Sequence, residues 1–125
     1  MLTRILLVRH GQTAWNRDGR FRARADLPPN AFGLIQAERV AARIAATWSV
    51  AAIYNSALQR ATQIAESLAK AASRRALCAS QPLEGLIDID YGEWQELSPA
   101  EVSERYKELH HLWMTQPYMV KIPGG

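Results

Sequence analysis

The chain contains one cysteine, Cys78, so no disulfide closes within it, and a reducing, cytoplasmic compartment is the simplest expectation. Cys78 itself reads as a small buried apolar residue. No stretch approaches the ~18 consecutive apolar residues of a membrane span, and Ile5-Leu6-Leu7-Val8 meets Arg9 too early to form a signal-peptide core. Charge of one sign is also scarce: 15 Lys+Arg against 12 Asp+Glu leave +3, with no long basic run. The aromatics do not interleave with the arginines and no zinc-finger or helix-turn-helix spacing occurs, which argues against nucleic acid as a partner. Internal repeats, low-complexity tracts and linkers are absent.

What is present suffices for a folded domain. With 48% hydrophobic residues in 125, the chain buries roughly 65–70% of the surface its unfolded form exposes. Arginine supplies most of the positive charge, which favours bidentate contact with phosphate or carboxylate.

Residues 3–8 form a continuous branched apolar run and are predicted to be a strand buried on both faces. Asn16 to Pro29 reads as a polar, arginine-rich loop. Asn30 is predicted to cap a helix reaching about Trp48, with Ala37, Val40, Ala41, Ile44, Ala45 and Trp48 on its apolar face. Ala51–Tyr54 is the expected second strand, and Ser56 the cap of a helix whose stripe is Leu58, Ala61, Ala65, Leu68 and Ala72. Ala76–Ala79 is the expected third strand, ended by Gln81-Pro82. Ser98-Pro99-Ala100-Glu101 combines an N-cap, a proline at the first helical position and a glutamate three residues on, so a helix is expected from Ser98 to Leu112 or Trp113. Strands alternating with helices imply a parallel sheet covered by helices.

Chemistry concentrates in Leu7-Val8-Arg9-His10-Gly11-Gln12-Thr13. A strand end holds His10 rigidly, Arg9 can pair with phosphate oxygens, and Gly11 lets the backbone turn where a substrate approaches. This stretch resembles the signature of the histidine phosphatase superfamily, the phosphoglycerate mutase-like proteins. Ser56-Ala57-Leu58-Gln59-Arg60-Ala61 resembles the family's second motif and Leu86-Ile87-Asp88-Ile89-Asp90-Tyr91-Gly92-Glu93-Trp94 its third, in the family's order.

The resemblance implies a three-layer α/β/α phosphoglycerate mutase-like sheet, truncated and lacking the later strands, with residues 1–125 a single, incomplete domain. It implies a phosphomonoester phosphatase, or phosphomutase, acting on a phosphorylated small molecule with no cofactor and no metal. His10 would be the nucleophile that carries the phosphoryl group, and Arg9 and Arg60 would neutralise its oxygens. Asp88 stands where many relatives have a glutamate general acid, and Asp90, Glu93 and Glu84 lie near it in sequence. Gly11, Thr13, Asn16 and Arg22 are expected to bind substrate; Asn16 reads equally as a loop cap. Hydrolysis is favoured over mutase action because the mutases' long insertions are absent.

Several positions depart from the family pattern. Ala57 stands where proline is usual, Asn55 where serine is common, and Ala23 and Glu96 each where glycine often occurs. The second histidine that clamps the phosphoryl group in relatives is not found; His110 and His111 fall inside the helix begun at Ser98 and read as surface or as packing against Trp113. Losing one such clamp costs on the order of 10²–10³ in rate. The strand carrying it would lie against residues 3–8, so an exposed edge and self-association are expected. Two further readings follow: a non-catalytic remnant that binds phosphate or a partner chain, and an anion-binding module built from Arg17, Arg20, Arg22 and Arg24.

Overall fold

The computed structural model describes residues 2–72 and 79–125. Thr13 caps a single helical turn, α1 (Ala14–Arg17), in a reciprocal capping box with Asn16, so helix takes in Asn16 and Arg17, the first residues of the segment expected to be loop. The helix α2 (Ala31–Thr47) starts where the sequence places it, with the Asn30 side chain accepting from the Gly33 N–H. Its buried stripe is Gly33, Ala37, Ala41 and Ile44, whereas Val40 is exposed.

The strand β1 (Ile53–Asn55) pairs in parallel with β2 (Ser80–Pro82), in the register Ile53 to Ser80 and Asn55 to Pro82. β2 lies beyond the predicted third strand; Ala76–Cys78, and with them Cys78, fall outside the described residues. Gln81 and Pro82 belong to β2 and do not break it, because a strand edge that need not donate tolerates proline. Between the strands runs α3 (Gln59–Ala72), burying Arg60, Ile64, Ala65, Leu68 and Ala72. α2 and α3 pack on β1 around Ala41, Ile44, Ile53, Ala65 and Leu68.

A second core lies over the third motif. Trp94 and Val102 are fully buried and Ile122 nearly so, ringed by Phe21, Tyr91, Tyr106 and Trp113. Five of these rings meet edge-on or tilted at centroid distances of 5.1–6.4 Å. The predicted helix from Ser98 is two: α4 (Pro99–Arg105), with the expected Ser98–Glu101 capping box, and α5 (Lys107–Thr115). The break falls at Tyr106, which leaves helical geometry (φ −130°, ψ 47°), packs against Trp94 at a tilt of 46° and donates its hydroxyl to Glu93 at 2.6 Å. Ring packing and that hydrogen bond override local helix preference.

The largest departure is at residues 3–8. They form no ladder with any described residue, and Leu2, Ile5 and Leu7 are 100%, 78% and 94% exposed. A buried strand requires sheet neighbours, and among the described residues the only sheet is the β1–β2 pair.

Candidate active site

His10 sits where the apolar run meets the glycine turn, half-buried. Gly11 is required by close approach: a Cβ there would lie 2.1 Å from the Gly33 carbonyl oxygen, and one on Gly33 would lie 2.2 Å from the Gln12 carbonyl oxygen. The first turn of α2 is thus pressed on the backbone that follows His10. Asn30 tightens the contact by donating its N–H to the Gln12 carbonyl at 2.8 Å and its Nδ2 to Gln12 Oε1 at 2.9 Å.

His10 Nδ1 lies 2.7 Å from the Gly11 carbonyl oxygen. A carbonyl only accepts, so Nδ1 carries the proton and Nε2 keeps its lone pair. Burial lowers the imidazole pKa below its ordinary value, and the positive charges of Arg60, Arg22 and Arg9 lower it further against the raising effect of the Gly11 contact. The group is held as a neutral base with one free nitrogen, the form a nucleophilic histidine needs.

Arg60, in the first turn of α3, is 2% exposed. Its Nη1 donates to the Ala25 carbonyl at 2.7 Å, and its Nη2 to the Ala23 carbonyl at 2.6 Å and to Asp88 Oδ2 at 3.2 Å. Ala23 aims its carbonyl by adopting φ +46°, the left-handed region that favours glycine; the other non-glycine residue there is Glu96 at φ +77°. These are the two positions where the family pattern has glycine. Losing the glycine acts on the backbone: each residue occupies a conformation that costs it about 1–2 kcal/mol.

The start of α3 is fixed from a distance. Asp26 Oδ1 accepts from the Gln59 N–H at 2.6 Å, while Ser56 Oγ accepts only from the Leu58 N–H at 3.3 Å. The expected cap at Ser56 is therefore shared with a carboxylate from the 18–30 loop. Sequence reasoning missed Asp26, since nothing local connects it to a helix that begins 33 residues later.

The loop arginines do not act as one module. Arg17 pairs with Asp18 at 2.8 Å, Arg20 with Glu101 at 3.2 Å, and Arg24 with Asp90 at 3.4 Å. Arg22 differs: its Nε is buried without a partner, and burial followed by repulsion from Arg9 and Arg60 lowers its pKa. Arg9 is exposed. Three guanidiniums thus influence His10, with Asp88 the carboxylate hydrogen-bonded to one of them.

Asp88 keeps Oδ2 on Arg60 and accepts the Ile89 N–H at Oδ1, 2.9 Å away, while its carbonyl accepts from Arg24 Nε. Asp90 and Glu93 are drawn into structural roles on the Gly92 N–H and the Tyr106 hydroxyl. The third motif is pinned by the chain's last residues: Glu93 donates its N–H to the Pro123 carbonyl at 2.8 Å, and a Cβ on Gly92 (φ +44°) would lie 2.2 Å from that oxygen. Pro123-Gly124-Gly125 is therefore docked on the site's own framework.

Thr13 is fully buried, and its hydroxyl donates to Asn16 Oδ1 at 2.9 Å while accepting from the Asn16 N–H at 3.2 Å. Asn16 is the third helical residue of α1, closing the capping box with Thr13 through its Oδ1 and its N–H and leaving Nδ2 outside it. His110 lies in α5 with its ring 6.5 Å from Trp94, not Trp113, and His111 lies beside it on α5. Arg9, His10, Arg60 and Asp88 border one open cavity of about 1790 Å³ that also has Leu6 and Ile53 in its walls. Among the described residues no three His, Cys, Asp or Glu side chains cluster as metal ligands, and no helix is long and apolar enough to cross a membrane.

Comparison with known proteins shows the family. A sequence profile described as histidine phosphatase superfamily (branch 1) matches residues 5–125. The chain is 35% identical to "Bifunctional protein Rv2228c" of Mycobacterium tuberculosis over 123 residues, covering 98% of this chain and 32% of that protein. It is 29% identical to "Phosphoserine phosphatase 1" of Hydrogenobacter thermophilus, covering 99% of this chain and 56% of that one. Among solved structures, TTHB049 from Thermus thermophilus superposes with a TM-score of 0.72 at 30% identity, over 94% of this chain and 60% of the other. The mycobacterial glucosyl-3-phosphoglycerate phosphatase Rv2419c gives 0.79 at 24% identity, over 93% and 52%, and speaks to the fold alone. The chain thus spans from 32% to 60% of the length of these relatives.

Proposed function

The chain belongs to the histidine phosphatase superfamily, branch 1, and we propose that it acts on phosphomonoesters through a phosphohistidine at His10. The observation that carries this reading is the His10 geometry: Nδ1 is committed to the Gly11 carbonyl, so Nε2 is the free base, and burial plus arginine charge hold the ring neutral.

In the proposed reaction the Nε2 lone pair attacks phosphorus in line, the phosphorus–ester oxygen bond breaks, and the leaving alkoxide takes a proton from Asp88. Asp88 then takes a proton from water, whose oxygen displaces His10 and releases inorganic phosphate. Arg9, Arg22 and Arg60 neutralise charge on the transferring group, as preorganised donors in a partly buried site do. Arg60 is rigid because two loop carbonyls and Asp88 hold it, and Arg22 contributes its charge from behind the cavity wall. Gly11 and Asn16 would offer backbone and amide donors to that group, and Thr13, the cap of α1, shapes the turn between them.

The substrate is a phosphorylated small molecule, and hydrolysis is favoured over mutase action by the short spacing between motifs. The phosphoserine phosphatase among the relatives supports that class without fixing the ester. A single cysteine suits a cytoplasmic setting. Residues 1–125 are proposed as one, incomplete, family domain, and one observation favours a second reading, that of a phosphate-binding chain without turnover: the segment bearing His10 makes no ladder contacts with the described residues.

Hydrolysis of p-nitrophenyl phosphate by the intact chain and by His10→Ala separates the two. The enzymatic reading predicts a rate lost with His10→Ala and an acid-labile phosphohistidine trapped on the intact chain. Identical background rates, together with no trapped phosphohistidine, would overturn it.

A further inference from the structure

The loop of residues 18–30 is hydrogen-bonded to all three motif regions. Near its start the Phe21 N–H donates to the Leu97 carbonyl and the Phe21 carbonyl accepts the Glu96 N–H, both at 2.9 Å, just past the third motif. Arg24 Nε reaches that motif itself, at the Asp88 carbonyl, 3.2 Å away. At its end the loop meets the turn after His10, where the Asn30 N–H donates to the Gln12 carbonyl at 2.8 Å and Pro29 bridges Thr13. Between these anchors, residues 23–26 meet the second motif at Gln59 and Arg60.

At this middle contact two consecutive residues of α3 each grip the loop. The Gln59 N–H donates to Asp26 Oδ1 at 2.6 Å, and Gln59 Nε2 donates to Asp26 Oδ2 at 3.2 Å and to the Asp26 carbonyl at 3.3 Å. Arg60 then holds the Ala25 and Ala23 carbonyls. The first N–H groups of a helix have no acceptor within it, and Arg60 stands in that same first turn. The local cap does not serve Gln59, since Ser56 Oγ accepts from the Leu58 N–H at 3.3 Å. A carboxylate at this end also suits the helix dipole. The turn that carries Arg60 is therefore ordered by Asp26, an exposed residue outside the walls of the His10 cavity.

We propose that Asp26 is a positioning residue for Arg60: it fixes the first turn of α3 against the 23–26 carbonyls, so that the guanidinium meets a phosphoryl group without reorganising. The phosphatase reading supplies the anion that Arg60 meets, so this role rests on it. Three hydrogen bonds, to Ala25, Ala23 and Asp88, already engage the guanidinium, which leaves its position to the backbone that carries it and to the loop that faces it. Without Asp26 the first turn frays, and the two carbonyls and the arginine lose their common frame. Asp26 also fills the place at the start of α3 where a helix attracts an anion, and so leaves the phosphoryl group to the Arg60 side chain.

Nuclear magnetic resonance titration of the His10 imidazole in the full chain, in Asp26→Ala and in Asp26→Asn tests it. The charge of Arg60 disfavours the imidazolium, so release of Arg60 should raise the His10 protonation constant in Asp26→Ala, by about twofold or more. Loss of the Asp26 charge alone acts in the opposite direction, because a carboxylate favours the imidazolium, and the sign therefore separates the two causes. Asp26→Asn keeps an acceptor for the Gln59 N–H, with the Gln59 amide turned over to meet the new Nδ2, and should not raise the constant. Inorganic phosphate should bind Asp26→Ala about tenfold more weakly than the intact chain, and Asp26→Asn almost normally. Both variants should melt within about 5 °C of the intact chain, as expected for an exposed cap. An unchanged or lowered constant in Asp26→Ala would overturn the proposal, as would an equal rise in both variants. A rise confined to Asp26→Ala, in a chain that hydrolyses no p-nitrophenyl phosphate, would keep Asp26 as the residue that places Arg60 and reject the phosphatase reading alone.

Discussion

Two walls of one site are built in opposite ways. The wall made by the 18–30 loop, the third motif and residues 98–125 is capped, ion-paired and packed around a Trp94 with no exposed surface. The wall that carries His10 has apolar side chains in solvent and backbone groups without partners among the described residues. The difference teaches that the candidate side chains owe their placement to the first wall and to α2, not to a strand. His10 is held by its own turn, through Gly11, Gly33 and Asn30. Arg60 is held by the Ala23 and Ala25 carbonyls.

Substitutions should divide along the same line. Trp94→Ala removes the centre of the aromatic cluster and should cost about 3–5 kcal/mol in a denaturant titration, enough to unfold most of the chain. Gly33→Ala drives a methyl group into the Gln12 carbonyl and should cost about 1–3 kcal/mol, with loss of any His10-dependent activity exceeding the loss of helix. Glu96→Gly and Ala23→Gly relieve positive φ and should each raise stability by up to about 1 kcal/mol, seen as an increase of roughly 4 °C in melting temperature. Ile5→Ser, on the open wall, should change monomer stability by less than about 0.5 kcal/mol. An Ile5→Ser effect comparable to that of Trp94→Ala at dilute concentration would erase the comparison.

The pH dependence follows from His10. Its folded pKa lies below the ordinary histidine value, so the native state binds fewer protons there than the unfolded chain. Its contribution to stability is fully present above about 6.5, the ordinary histidine value, and is lost as pH falls through the depressed folded value. Nucleophilic reactivity should follow the same course, staying level at about pH 7 and falling only below about 6.5. Titration of the His10 imidazole by nuclear magnetic resonance measures the midpoint directly, and a value above the ordinary one would contradict the placement.

Local signals made much of this legible. Asn30 and the Ser98–Glu101 box act through neighbouring N–H groups, so the sequence marks them where they work. His10, Arg60 and Asp88, which the three motifs mark in the sequence, border one cavity. Contacts between distant residues were not legible: Asp26 on the start of α3, Pro123 on Gly92, and Tyr106 breaking a helix to reach Trp94 and Glu93. The apolar run at residues 3–8 misled in one respect. Periodicity and composition indicate what a strand's side chains favour, but a strand exists only where another edge pairs with it.

Amide hydrogen exchange, resolved by residue and recorded on dilute monomer, tests the contrast between the two walls most directly. The account predicts near-intrinsic exchange at residues 3–8 beside strong protection at Ala37–Ile44 of α2 and at Val102. Amides at residues 4–8 as slow as those of α2 in the monomer would contradict it.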